Sequence, residues 1–156
     1  MFCEGGCACG AVRYGLKTSP LVVHACHCRD CQRLTGAAYA TNAGIEENNV
    51  QLISGELKSF NRKGGSGADH EVFSCSLCST AVWSKYAGGV SMLFLRVGTF
   101  DNPELVSPHT HIFTRSKHPS VVLPSDVPAF QEFYTSRRGV WPEESVARLK
   151  AARDGG

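Results

Sequence analysis

Seven of the eight cysteines in this chain fall into three short groups: Cys7 with Cys9, then Cys26, Cys28 and Cys31, then Cys75 with Cys78. Thiols spaced CxC and CxxC can converge on one soft or borderline ion, and zinc is the commonest in such company. The same number of cysteines in a small secreted protein would suggest disulfides, but pairs at these spacings favour metal. Structural zinc sites are almost always four-coordinate, so neither two-thiol group satisfies an ion alone. The economical partition joins Cys7, Cys9, Cys75 and Cys78 in one closed structural site, where metal binding would contribute directly to folding. It leaves Cys26, Cys28 and Cys31 around a second zinc with one position open, and an open position distinguishes a catalytic zinc from a structural one. Two zincs per chain are therefore expected, the second the more labile.

Other residues compete for that open position. Cys3 would close the second site if it reached it, giving two structural sites and no chemistry. It lies close in sequence to Cys7 and in a terminus expected to be mobile, so a free, inert Cys3 is the expectation. His24 and His27 flank the second group, but His27 would point away if Cys26 and Cys28 point inward. His109 and His111 would share a face of an extended segment, with His118 nearby in sequence. A lone histidine on a strand is usually a plain polar group, so each of these five reads as a non-ligand.

Between the cysteines the chain reads as short strands punctuated by turns. The segment EGGCACGAVRY alternates as a strand over Ala11 to Tyr14, with glycines allowing a tight knuckle. Strands are also expected over Leu21 to His24, Ala37 to Ile45, Val50 to Ile53, Glu71 to Phe73, Val90 to Val97 and His111 to Thr114. Arg29 to Leu34 suits a single helical turn ended by Gly36. Lys63 to Gly67 reads as a flexible, solvated loop. Pro142 to Arg153 suits a short helix, with Glu143 and Glu144 near its start and Lys150 and Arg153 near its end, matching the helix dipole. The fold class is therefore mainly β: a zinc-bearing β-sandwich of several short sheets with a short C-terminal helix.

At 156 residues, 42% hydrophobic and 19% charged, the chain suits one ordinary globular domain. A formal charge of +2 is too small to argue for nucleic acid or an anionic membrane. No apolar run approaches the ~18 residues of a membrane helix. The N-terminus lacks the basic-then-apolar pattern of a signal peptide, so a cytoplasmic location is the expectation. The expected partner is a small molecule, and the sequence leaves homo-oligomerisation open.

The stretches GGCACGAVRY, CHCRDCQRLTGAAYAT, FSCSLC and VGTFDNPELVSPHTHIFTRSKHP together resemble the glutathione-dependent formaldehyde-activating enzyme family, whose domain is shared with centromere protein V. The resemblance runs over roughly residues 3 to 133. It implies a zinc-binding domain over 1–135 followed by a tail, 136–156, with a short helix. It also implies one zinc held by Cys7, Cys9, Cys75 and Cys78 and another by Cys26, Cys28 and Cys31. Two positions depart from the family pattern. Ser79 follows the last CxxC where the family usually has Gly, which suits the positive φ of such knuckles. Ser120 follows Pro119 where the family tends to carry an aromatic.

The activity implied by the resemblance is that of a carbon–sulfur lyase, adding glutathione reversibly to formaldehyde to give S-hydroxymethylglutathione. Three thiolates make zinc a weaker Lewis acid than three histidines do, better suited to holding a thiolate than to generating hydroxide. Glutathione carries two carboxylates, so a cationic side chain should meet it; Arg29, Arg33 and Arg13 are the candidates by position. Two other classes stay open. One is a zinc enzyme of the same fold acting on another small electrophile or hydrolysing a C–N or C–S bond, which the departure after Pro119 favours. The other is a non-catalytic zinc module that binds a partner.

Overall fold

The computed structural model of the protein describes residues 1–64, 67–87 and 91–154. Gly65 and Ser66 of the expected flexible loop, Val90 at the start of an expected strand, and the Arg153 side chain lie outside the described residues. The architecture is mainly β, as expected, with two sheets and a short C-terminal helix. A small antiparallel sheet has the order β1 (Cys3–Gly6), β2 (Arg13–Leu16), β5 (Val50–Ser54). The large sheet contains β3 (Val22–Cys26), β4 (Ala40–Glu46), β6 (Leu57–Lys63), β7 (Asp69–Cys75), β8 (Ala81–Tyr86), β9 (Met92–Arg96) and β10 (Thr110–Ile112). Its order is β10-β3-β4-β9-β8-β7-β6, antiparallel throughout except that β10 runs parallel to β3.

The period-two alternation of side chains gives the large sheet two different faces. Val23, Ala43, Ile45, Trp83, Leu93 and Leu95 face the small sheet and form the first core with Val12, Tyr14 and Leu16. Tyr14 meets Trp83 edge-on with ring centroids 5.6 Å apart, the arrangement that aromatic quadrupoles favour. The other face is built from rows set by register. Arg62 lies opposite His70 and His70 opposite Tyr86; Arg96 lies opposite Asn42 and Asn42 opposite His24. Helix α1 (Arg29–Thr35) and the C-terminal segment cover part of this face. There Tyr134, Val140, Trp141 and Leu149 are buried in a second core with Leu21, Val22, Cys26 and Cys31. The C-terminal helix α2 (Glu143–Asp154) is tied to β4 by Arg148, whose Nε donates to Glu46 Oε1 at 2.8 Å.

Local sequence explains the helix that carries the second cysteine group. Cys28 caps α1, its sulfur accepting from the Cys31 amide at 3.3 Å, and Gly36 ends it in the left-handed conformation at φ 66°. Three expectations are corrected. Cys3 is not in a mobile end: it sits in β1, paired with Leu16 and only 8% exposed, because its small apolar side chain packs into the first core. The strand expected over His111 to Thr114 is β10 and stops at Ile112, because Phe113 turns left-handed at φ 57° and a 3-10 turn follows. The strand expected from Ala37 begins at Ala40, after the turn that follows the Gly36 cap.

Two cysteine clusters and the candidate active site

Cys7 and Cys9 lie in the turn between β1 and β2, while Cys75 ends β7 and Cys78 follows it in the turn to β8. Their four sulfurs lie within 4.8 Å of one another. Tetrahedral zinc with ~2.3 Å bonds to sulfur requires sulfurs roughly 3.8 Å apart; Cys9 and Cys75 stand at 3.9 Å and Cys7 and Cys9 at 3.4 Å. The four cysteines therefore fit a closed metal site. Two backbone knuckles shape it. The first is closed by Cys7 donating to the Val12 carbonyl, with Gly10 left-handed at φ 77°. In the second, the Ser79 amide donates to the Cys75 carbonyl, with Ser79 itself left-handed at φ 61°. The Val12 amide also donates to Cys7 Sγ at 3.2 Å, and the Thr80 hydroxyl lies 3.1 Å from Cys78 Sγ. These contacts favour thiolates, and Thr80 leads in pulling the Cys78 thiol down to about 5.

The second cluster is assembled where β3 hands over to α1. Cys26 ends the strand, Cys28 caps the helix and Cys31 lies in its first turn. Their sulfurs also lie within 4.8 Å of one another, and among the described residues no fourth cysteine, histidine or carboxylate joins them. Crowding splits the thiols. Cys26 and Cys31 hold Cys28 far below the ordinary thiol range, while Cys28 and Cys31 push Cys26 far above it. Without a cation the three cannot all ionise; a divalent ion removes that conflict. The donor set thus fits a soft or borderline metal such as zinc.

The flanking histidines do not join this cluster. His27 points away, its Nε2 2.9 Å from His111 Nδ1 in a buried pair. His24 Nε2 meets the Tyr134 hydroxyl at 2.8 Å, His109 Nδ1 accepts from the Val23 amide at 2.9 Å, and His118 Nδ1 meets the Ser120 hydroxyl at 2.7 Å. Cys3 lies outside both cysteine groups.

The sheet face beneath the three thiols is polar and buried. Asn42 Nδ2 approaches Cys31 Sγ at 3.9 Å, and its carbonyl oxygen accepts from Arg96 Nη1. Arg96 Nη2 donates to Ser84 Oγ at 2.7 Å, while the Arg96 Nε has no partner among the described residues. Next to this group, a cleft of about 490 Å³ runs between the end of α1 and the Ser79-Thr80 turn, lined by Thr35, Tyr39, Thr41, Thr80 and Arg96 among others. No cysteine lines it, but two of its wall residues touch the clusters, Thr35 through the Cys31 carbonyl and Thr80 through Cys78 Sγ, and Arg96 is the charged residue on its wall. Asp30 accepts from Arg62 at 2.8 Å, pinning α1 to β7's neighbour β6.

The three arginines favoured by sequence position are placed differently. Arg13 is on the small sheet and is engaged by Asp101 at 2.5 Å and Glu4 at 3.3 Å. Arg29 donates to Gln32 in its own helix, and Arg33 is exposed. Arg96, Asn42 and His70 were not singled out by spacing. The available signal was a polar residue at an inward position of an alternating strand, as in His70-Val72-Ser74 on β7, all buried.

A family model described as glutathione-dependent formaldehyde-activating enzyme matches residues 2–116, which include both cysteine clusters. The chain belongs to the glutathione-dependent formaldehyde-activating enzyme family. A crystal structure of a Rhodobacter sphaeroides protein is similar in fold to this member of the family, with a TM-score of 0.50 at 17% identity over 81% of this chain and 99% of that one. No curated protein matches the chain. Among the described residues of this formaldehyde-activating family member, no helix is long and apolar enough to cross a membrane.

Proposed function

We propose that the protein is a zinc-dependent carbon–sulfur lyase that joins glutathione and formaldehyde reversibly, with Cys26, Cys28 and Cys31 as the ligands of the catalytic zinc and Cys7, Cys9, Cys75 and Cys78 as those of a structural one. The observation that carries the reading is the three-thiol cluster, which no fourth ligand among the described residues completes, with a cleft large enough for a tripeptide whose wall includes Thr35, bonded to the Cys31 carbonyl. Bound there, zinc would hold an incoming thiol as its thiolate at neutral pH. The remaining work belongs to the chain. Arg96 offers a buried guanidinium to a substrate carboxylate from the cleft wall, the role sequence position had suggested for Arg13, Arg29 or Arg33. Asn42 links that guanidinium to Cys31, so substrate binding and the cluster share one hydrogen-bonded support. In the forward direction the thiol gives up its proton, sulfur bonds to the aldehyde carbon, and the carbonyl π pair moves to oxygen, where it takes up a proton in place of the one released and becomes the O–H bond of the new hydroxyl. Positioning the two reactants supplies most of the benefit.

The test is zinc content per chain in wild type, Cys28→Ser and Cys75→Ser, with and without glutathione, together with adduct formation followed by NMR. Two zincs in wild type, one in Cys28→Ser with the fold retained, and adduct formation lost in that variant are the expected results. Two tightly held zincs indifferent to glutathione, and no adduct, would leave a structural zinc module.

A further inference from the structure

The sheet face under the three-cysteine cluster continues past it. Residues two apart on a strand share a face and stand about 7 Å from each other. Along β4, three such positions have different surroundings: Ala40 lines the cleft, Asn42 approaches Cys31 Sγ at 3.9 Å, and Gly44 pairs with Phe94 on β9. Ala40 is also the register partner of Cys26, and Asn42 that of His24. The thiols therefore stand between the cleft, at the Ala40 end of this row, and the surface around Gly44 at the other.

That surface is aromatic. Phe94 leans over Gly44, where an added Cβ would come within 3.1 Å of its Cε1. The bare glycine lets the Phe94 and His24 rings approach each other across β4, centroids 6.4 Å apart and planes 21° from parallel. Tyr86 meets Phe94 edge-on at 5.4 Å, and Phe133 meets His24 edge-on at 5.6 Å. Tyr86, Phe94, His24 and Phe133 thus form one continuous run of rings. Its two ends are open, Tyr86 being 37% and Phe133 49% exposed. Exposed apolar groups scattered singly need no explanation, but rings set side by side beside a reactive centre mark a place where something binds. Phe133 also lies beyond residues 2–116, so one end of the run is supplied by a part of the chain outside the family match.

We propose that the aldehyde this site favours carries an aromatic ring, which lies on the run from Tyr86 to Phe133 while glutathione occupies the cleft. The inference rests on the lyase reading above and names its carbonyl substrate. Formaldehyde has no body to cover these rings, whereas phenylacetaldehyde places a ring one methylene from the carbonyl carbon. The step is the same addition. The thiol gives up its proton, sulfur bonds to the aldehyde carbon, and the carbonyl π pair moves to oxygen, which takes up a proton in place of the one released. The product is a hemithioacetal, and nothing is oxidised or reduced.

The experiment uses the zinc-loaded protein, wild type, Phe133→Ala and Tyr86→Ala. Calorimetry compares binding of S-phenethylglutathione with that of S-methylglutathione, and exchange NMR compares acceleration of adduct formation from glutathione with phenylacetaldehyde and with formaldehyde, each over its uncatalysed rate. In wild type the phenethyl thioether should bind about 10-fold tighter than the methyl one, and phenylacetaldehyde should be accelerated about 10-fold more than formaldehyde. Both ratios should fall to a few-fold or less in each variant. Equal binding of the two thioethers, or equal acceleration of the two aldehydes, would overturn the ring site and leave the lyase reading standing. Ratios that survive both substitutions would overturn its placement on these residues. Zinc-loaded wild type that accelerates neither aldehyde would overturn the lyase reading and this inference with it. If a variant does not fold, the wild-type ratios and the other variant decide.

Discussion

Thr80 holds Cys78 from the side: its hydroxyl lies 3.1 Å from the sulfur, and the same oxygen accepts from the Ala8 amide at 3.2 Å. One side chain thereby links the two knuckles of the four-cysteine cluster. Groups that contact metal ligands typically tune affinity 10–100-fold. Thr80→Val should therefore weaken zinc at this site by about 10-fold, measured by competition with a chromophoric chelator, while the three-cysteine cluster keeps its affinity.

Ser79 is an exposed residue in left-handed conformation, at φ 61°. A side chain there costs about 1 kcal/mol, partly offset by the greater freedom glycine gains on unfolding. The bond from Lys58 Nζ to Ser79 Oγ at 2.8 Å is exposed and contributes little. Ser79→Gly should raise stability by about 0.5 kcal/mol, seen as a small upward shift of Tm. Phe113 has a similar φ of 57°, yet it packs against the second core and Phe133. Phe113→Gly should lower stability by about 2 kcal/mol, since lost packing outweighs relieved strain.

His109 must be neutral to hold its place, because its Nδ1 accepts from the Val23 amide. Burial holds its affinity for a proton below the ordinary value of 6.5, against an opposing pull from Glu144. A protonated His109 is thus favoured in the unfolded chain. Its contribution to stability is complete above pH 6.5 and is lost as pH falls through the lower folded value. An NMR titration of the imidazole with zinc kept saturating should give a midpoint below 6.5. In His109→Asn the fall of stability with acid should be shallower by up to one proton.

Glu46 is a carboxylate with its side chain only 6% exposed, neutralised by Arg148 from the C-terminal helix and further bonded by Asn49 Nδ2 at 3.1 Å. Arg148→Leu strands that charge in the interior edge of β4. Because Arg148 is itself 30% exposed, the cost should be about 2 kcal/mol, below the usual range for a fully buried pair. Glu46→Gln in the same background should restore about half of it. Urea denaturation of wild type and the two variants provides the comparison.

The cysteine partition was legible because ligand spacing is local chemistry: CxC and CxxC carry the same meaning wherever the chain takes them. Helix α1 was legible for a similar reason, since Gly36 marks its end. Strand β6 was not, because as an edge strand it carries Lys58, Ser59, Asn61, Arg62 and Lys63 across its two faces, with no apolar alternation to reveal it. Cys3 was misplaced because a terminus is mobile only when nothing pairs with it, and β2 does. The polar floor of the site was hidden for a deeper reason. Arg62, His70 and Tyr86 become a row only through the register of β6, β7 and β8, and Arg96 meets Asn42 across 54 residues of chain. Such neighbourhoods are properties of pairing, which no local spacing encodes.

The two cysteine clusters also differ in when a growing polypeptide can make them. Cys26, Cys28 and Cys31 lie within six residues, so this set can meet an ion soon after it leaves the ribosome. The other set joins Cys7 to Cys78 and waits until half the chain has been synthesised, leaving the first two thiols exposed in the meantime. During translation the three-cysteine set can therefore load a metal first, and the four-cysteine set can fasten only later.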